Sequence, residues 1–290
     1  MAKSNSFSIN CNKKILNLST PVLMGILNTT PDSFYQQGGV LPTEEYLLRA
    51  ESMLEQGATI IDIGGVSTRP GASVVSESEE AARVLPVVEA LRKQFPEAIL
   101  SIDTFRSGVA LQAIAAGIDM INDIYGGRYD DQMFNVVIGK NIPYILMHMQ
   151  GEPSSMQQAP QYTNVVSEVA HFFENTLGTM QQIADSLGST LPPVLLDPGF
   201  GFGKTLEHNY RLLGHLQHLS VIPRPFVVGV SRKSMIQKVV KVNTQNALNG
   251  TTALHMIALQ QGAHVLRVHD VKEAMECIRI YEFMKQHNPE

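Results

Sequence analysis

The sequence predicts an α/β protein folded as a (β/α)8 TIM barrel with an N-terminal β-hairpin. Three observations carry that expectation. Short β-branched apolar runs recur about eight times, each followed by a Gly-rich polar turn and a stretch of helical period. The runs are predominantly apolar, as strands buried on both faces of a parallel sheet are. Polar residues collect at one end of the runs and not at the other.

The chain opens with "FSINCNKKILNLS" (7–19), which alternates across an Asn-Lys-Lys turn and reads as a hairpin plugging the barrel's N-terminal end. The apolar runs follow: "VLMGIL" (22–27), "TIIDIG" (59–64), "AILSID" (98–103) and "IDMIND" (118–123). "PYILMH" (143–148), "PVLLDP" (193–198), "FVVGVS" (226–231) and "AHVLRV" (263–268) complete the set. Between them, "TEEYLLRAESMLEQGA" starts at Thr43, a natural N-cap, and stops at Gly57. "SEEAARVLPVVEALRKQF" and "TQNALNGTTALHMIALQQGA" behave alike. A doubly wound open sheet is the rival architecture, but no dinucleotide fingerprint or linker marks a second domain. Residues 1–290 therefore read as a single barrel domain. The interval 149–162 ("MQGEPSSMQQAPQY") reads as a loop over the active site.

Of 290 residues, 44% are hydrophobic and 17% charged, the balance of a globular protein. A net charge of -5 exerts no long-range pull on nucleic acid or an anionic membrane. No apolar run approaches the roughly 20 residues that span a bilayer, and the N-terminus lacks the apolar core of a signal peptide. A cytoplasmic protein is expected. Cys11 and Cys277 stand in no metal or redox spacing and read as reduced and structural. His215 and His218 lack acidic or Cys companions and read as a solvated helix face.

In a barrel the reactive groups sit at the C-terminal strand ends. Here those exits carry Asn28, then Asp62 with Thr68 and Arg69, then Asp103. Asn122 with Asp123, His148, Asp197, Ser231 to Ser234, and Arg267 with His269 follow, whereas strand entries are mostly Pro, Ala and apolar. That sorting predicts one concave polar site and an enzyme. Arg69, Lys233, Arg267 and His269 are cationic donors suited to a phosphate or multiply charged leaving group. Asp103, Asn122 and Asp197 can read the edge of a flat heterocycle. Asn28 offers a neutral oxygen to a Mg2+ shell shared with phosphate. Asp62, Asp123 and His148 have structural readings as well, Asp62 by bonding neighbouring backbone.

Two motifs fail. "GFGFGKT" (199–205) misses the phosphate-binding Gly-x4-Gly-Lys spacing by one residue and does not fit G-x-G-x-x-G. It reads instead as a Gly-Phe lid bringing Phe202 to an aromatic substrate. "SRKSMI" (231–236) places a strand end against a helix start, whose free N–H groups suit a carboxylate or phosphate.

The segments "MGILNTTPDSF" (24–34), "GATIIDIGGVSTRPGA" (57–72), "SIDT" (101–104) and "INDI" (121–124) resemble signature stretches of the dihydropteroate synthase family. So do "LMHMQGEP" (146–153), "LLDPGFGFGK" (195–204), "GVSRKSMI" (229–236) and "RVHDV" (267–271), in the family's order. The resemblance implies a folate-pathway transferase joining a dihydropterin methylene diphosphate to p-aminobenzoate, with Mg2+ as cofactor and sulfonamides as mimics of the amine. It implies that Asn28 helps hold Mg2+, and that Thr68, Arg69, Arg267 and His269 clamp the diphosphate. Asp103, Asn122, Asp197, Lys233 and Arg267 would bind the pterin, Arg267 also by stacking on it. Phe34, Thr68, Pro70, Phe202 and Ser234 would surround p-aminobenzoate. Asp103, Lys233, Arg267 and His269 would carry the catalysis. The chain departs from the family at Val66, where Glu is usual, and at "YQQGG" (35–39). Those positions bear on amine capture and inhibitor response, not on the pterin site.

Three rival readings fit the residues less well. A pterin-dependent methyltransferase has no use for "STRPG" and "RVH"; a Schiff-base aldolase would want a desolvated Lys, whereas Lys233 has polar neighbours. A non-catalytic pterin-binding module would not need the clamp. A homodimer through the late outer helices is expected, because "ALHMIALQQ" (253–261) and "AMECIRIYEFM" (274–284) are more apolar than a solvated helix requires.

Overall fold

The computed structural model describes residues 7–30, 42–67, 75–152, 156 and 158–287. Strands β1 (Ser8–Cys11) and β2 (Lys14–Asn17) pair antiparallel, and Asn12 and Lys13 turn the chain with φ of 50° and 72°. The left-handed conformation at both turn residues matches the twist of a two-residue hairpin. Eight parallel strands then alternate with helices. They are β3 (Val22–Asn28), β4 (Ala58–Gly64), β5 (Ile99–Asp103), β6 (Met120–Asp123), β7 (Tyr144–Met147), β8 (Val194–Asp197), β9 (Val227–Val228) and β10 (Val265–Val268). Their order is β8-β7-β6-β5-β4-β3-β10-β9, and a parallel bridge between Leu196 and Phe226 joins β8 to β9. The sheet is thereby a closed barrel, as expected.

The intervening helices are α1 (Thr43–Glu55), α2 (Glu77–Gln94), α3 (Ser107–Ala116), α4 (Met133–Gly139) and α5 (Val165–Ser186). α6 (Leu206–Gly214), α7 (Ser234–Val240), α8 (Leu248–Gln260) and α9 (Val271–His287) complete the ring. Helix starts depart from the sequence reading. Thr43 is the first helical residue and not the cap, which is Pro42; a Pro that fixes φ before the first turn serves without a side-chain bond. α2 is capped by Ser76, whose hydroxyl accepts from the Glu79 N–H, and α8 begins after Ala247 with no side-chain cap. Among the described residues no helix is long and apolar enough to cross a membrane.

The barrel interior explains where the site lies. One apolar layer is formed by Met24, Ile60, Ile99, Met120, Ile145, Leu195, Val227 and Val265, closed below by Ile9, Cys11, Leu16 and Leu18 of the hairpin. Burying such side chains stabilises the fold by roughly 1.5–3 kcal/mol each. Strand side chains alternate faces, so the next inward residue stands two positions on. Those residues are Ile26, Asp62, Ser101, Asn122, Met147, Asp197, Gly229 and Arg267. A packed floor thus carries a more polar layer, which supplies Asp62, Asn122, Asp197 and Arg267 to the site.

At the opposite end, buried Asp119 accepts from Lys14 of the hairpin at 2.9 Å and from Arg92 of α2 at 2.5 Å, and so ties plug to barrel. Cys11 and Cys277 are buried free thiols. His215 and His218 are exposed, each ring nitrogen facing a backbone carbonyl of the preceding turn.

Candidate active site

Register assembles the site before any side-chain bond does. Asn28 pairs with Gly64, Gly64 with Asp103, and Asp103 with Asn122, one row across four adjacent strands. Gly64 stands between Asn28 and Asp103 in this row. A Cβ there would lie 3.5 Å from Asn28 Oδ1 and 3.6 Å from Asp103 Cβ.

Arg267, from β10, reaches across the mouth. Its Nε donates to Asp62 Oδ2 at 2.7 Å and its Nη2 to Asp103 Oδ2 at 2.7 Å. Asn122 Nδ2 donates to the same Asp62 oxygen at 3.0 Å. Asp62 therefore bonds side chains of two other strands, not neighbouring backbone. It belongs to the site, and its signal in the sequence was its inward phase, two residues beyond Ile60. Burial works against the Arg267 charge, but Asp62 and Asp103 outweigh it and hold the guanidinium protonated. Burial pushes the Asp103 carboxyl up, and Arg267 pulls it back.

Across the pocket, Asp197 Oδ1 accepts from the Gly199 N–H at 2.8 Å. Burial raises this carboxyl too, against the nearby Lys233 ammonium. Lys233 donates to the Phe200 carbonyl at 2.6 Å, and its Nζ lies 4.8 Å from the Phe202 ring centroid. Burial lowers its pKa to about 8, with Asp197 acting in the opposite sense. The missing side chain of Gly229 leaves room here: a Cβ would sit 3.7 Å from Lys233 Nζ and 4.0 Å from Asp197 Oδ2. Asn122 and Asp197, 3% and 5% exposed, thus gather with the Asp62–Arg267–Asp103 network and Lys233 at one end of the barrel. Such a cluster offers acceptors, an amide and cationic donors to the edge of a planar ring.

Ser231 Oγ accepts from the His269 backbone N–H at 3.3 Å and lies 3.1 Å from His269 Nδ1, leaving the His269 side chain exposed at the rim. Ser234, exposed, is the first residue of α7. Phe34, Thr68, Arg69 and Pro70 lie outside the described residues, as do Tyr35 to Gly39. Val66 packs against an apolar cluster of Phe105, Ile124, Tyr125, Met147, Met149 and Met156, which Phe202 also joins.

The Gly-Phe segment is a pinned turn, not the expected lid. Gly199 has φ +70° and approaches β7 so closely that a Cβ would stand 1.8 Å from the His148 carbonyl oxygen. Lys204, unassigned by the sequence reading, holds it there. Its ammonium donates to the carbonyls of Gly199 (2.9 Å) and Phe202 (3.2 Å) and lies 2.9 Å from His148 Nδ1. Burial drives its pKa well below the usual lysine value. His148 is kept neutral by burial and by the Lys204 charge. Asp123 accepts from Tyr144 Oη and from the N–H groups of Tyr125 and Gly127, a scaffolding role. Gln150 pairs doubly with the Gln161 backbone near the two ends of the 149–162 interval, of which 153–155 and 157 lie outside the described residues.

Residues 24–269 match the family of pterin binding enzymes. The dihydropteroate synthase of Escherichia coli K12 is 44% identical over 92% of this chain and 93% of its own length. This chain belongs to the pterin binding enzymes, in the dihydropteroate synthase family. A Yersinia pestis dihydropteroate synthase solved in a sulfonamide drug complex superposes with a TM-score of 0.90, at 42% identity, covering 97% of this chain and 100% of that one. The Xanthomonas albilineans enzyme in complex with 7,8-dihydropteroate gives 0.85 at 35% identity, with coverages of 98% and 100%.

Proposed function

We propose that this enzyme condenses 6-hydroxymethyl-7,8-dihydropterin diphosphate with p-aminobenzoate, giving 7,8-dihydropteroate and pyrophosphate. The observation that carries the reading is the gathering of Asp62, Arg267, Asp103, Asp197 and Lys233 at one barrel end, which we take as the two sides of a ring-binding slot. A pterin's edge alternates N–H donors with ring nitrogen and carbonyl acceptors, and the slot answers with carboxylates, the Asn122 amide and the Lys233 ammonium. A wrong ring would leave those buried groups unpaired, which is how such a site discriminates.

The methylene carbon–oxygen bond breaks with its electron pair going to the diphosphate. Arg69, Arg267 and His269, with Thr68, stabilise that developing charge, the kind of preorganised electrostatics that contributes most to such steps. The electron-rich dihydropterin carries the positive charge left on carbon, with Asp103 and Asp197 close by. The arylamine nitrogen then bonds the carbon, and the proton it loses passes to the released pyrophosphate or to water. Its ring would lie among Phe34, Pro70 and Phe202, with the carboxylate at Ser234 and the start of α7. No protein nucleophile is needed.

Asn28 is the residue we assign to Mg2+. Its neutral oxygen is exposed beside Asp103, and a hard cation that keeps mostly phosphate and water ligands needs no larger protein cage. When bound, the ion would supply charge to the leaving diphosphate. We assign residues 1–290 to one barrel domain acting in the cytoplasm as a homodimer.

Calorimetry tests the reading directly. p-Aminobenzoate should bind appreciably only when pyrophosphate and Mg2+ are present, and the complete mixture should release pyrophosphate and form dihydropteroate. Equal binding of the amine with and without pyrophosphate, and no product, would leave only a binding module.

A further inference from the structure

We infer that Arg232 and Asp270 are positioning residues, a brace that fixes the loop bearing Lys233 against the loop bearing Arg267 and His269. The inference rests on the synthase reading above. Neither residue belongs to the substrate groups assigned there, yet each is the chain neighbour of one: Arg232 precedes Lys233, and Asp270 follows His269.

The geometry is that of a bidentate fork. Arg232 Nε donates to Asp270 Oδ2 at 2.7 Å and Nη2 to Asp270 Oδ1 at 2.7 Å. Nη1 donates to the carbonyls of Thr244 and Gln245 at 2.9 and 2.8 Å, in the segment before α8. One guanidinium thus ties three loops, with four of its five N–H donors in use. Its backbone is fixed as firmly: the Arg232 N–H donates to Thr251 Oγ1 at 3.0 Å, and its carbonyl accepts from Gln237 Nε2 at 2.8 Å.

Arg232 adopts φ +54°, a left-handed conformation unfavourable for an L residue with a long side chain. That turn sends Arg232 away from the pocket and Lys233 into it, onto the Phe200 carbonyl. The strained turn and its anchoring partners occur together at the site, where strain of this sort is held by surrounding bonds. On the other side of the brace, the Ser231–His269 contact repeats the link between the same two loops. The arrangement makes the distance between Lys233 and the Arg267 network depend on the Arg232–Asp270 pair.

The test is a double-mutant cycle on the full-length enzyme with Asp270→Asn, which is isosteric, and Arg232→Gly, which is at home at φ +54°. Arg92→Met serves as the comparator, because it removes an Arg–Asp ion pair at the opposite end of the barrel. Each brace variant should lose tenfold to a hundredfold in kcat/KM for the pterin diphosphate, mainly through KM, and the double variant should be no worse than the poorer single one. Arg92→Met should lower the melting temperature while leaving kcat/KM within about twofold. If Arg232→Gly does not fold, Asp270→Glu, which keeps the charge but displaces the fork, reads the same constants and should show an intermediate loss. Wild-type kcat/KM in folded Asp270→Asn, additive losses, or an equal loss in Arg92→Met would overturn the brace. A wild-type enzyme that forms no dihydropteroate would instead overturn the synthase reading itself.

Discussion

Lys233 shows how one residue's environment sets its chemistry. Its ammonium is desolvated, faces Asp197, and rests on a carbonyl and an aromatic ring. In the proposed complex it donates to the pterin's exocyclic oxygen. Lys233→Met keeps the stem and removes the donor, which should cost about 1.5–3 kcal/mol, roughly tenfold to a few hundredfold in kcat/KM. The melting temperature should hardly change, because the side chain ends in the pocket and not in the apolar layer. Steady-state kinetics beside a thermal melt check both statements, and wild-type kcat/KM in a folded variant would remove the pterin from this slot. The pKa adds a second signature. Burial lowers it to about 8, so the donor loses its proton as pH rises through that value, and kcat/KM of the wild type should fall there. That alkaline limb should be missing from the pH profile of Lys233→Met. Residue type and strand position sufficed to select Lys233, Asp103, Asn122, Asp197 and Arg267. They left Asp62 open between the site and a backbone bond and did not select Lys204, because the roles of both depend on partners more than fifty residues away in the chain.

At the scale of elements, the strands were legible because their apolar runs are bounded by Gly and Pro, and helix starts were less so. Ser76, Pro42 and Ala247 end three loops by three different devices, and only the first leaves a side-chain signature. β9 is two residues long where six were expected, because the chain bends after Val228 to bring Ser231, Arg232 and Lys233 round the barrel rim. α8 carries a feature that composition hides. His255 is 1% exposed, and neither ring nitrogen has a hydrogen-bond partner. Burial lowers its pKa from 6.5 to about 4. The unfolded chain therefore binds a proton that the folded one refuses. The stability lost is nil well above pH 6.5 and grows as pH falls toward about 4, reaching on the order of 3 kcal/mol from this residue. His255→Leu should flatten that part of the stability curve and be close to neutral at pH 8. Urea melts at pH 8, 6 and 4.5 would show it; a mutant curve parallel to wild type would assign the acid loss to other groups.

At the scale of the whole molecule, the order of the eight strand exits made the barrel legible, because sequential parallel strands with helical crossovers close in one way. Oligomeric state is the property that the sequence pattern reached only partly. The apolar residues of 253–261 that suggested an interface mostly pack inward: Leu254, Ala258 and Leu259 are buried, and only Ile257 among the large ones is exposed. The end of α9 is different. Ile280, Phe283 and Met284 are 56%, 64% and 41% exposed, and α8 and α9 pack side by side. A contiguous apolar strip of this kind costs solubility unless something covers it. A second copy related by a two-fold axis, laying α9 against α9 or α8, would cover both strips at once. Phe283→Glu places a charge in the middle of the strip and away from the barrel, since Phe283 is mostly exposed and stacks on the His287 ring of its own helix. Light scattering at micromolar concentration should therefore give a dimer for the wild type and a monomer for Phe283→Glu, with the pterin site intact by calorimetry. A wild-type monomer, or a Phe283→Glu protein that remains dimeric, would move the interface elsewhere on the molecule.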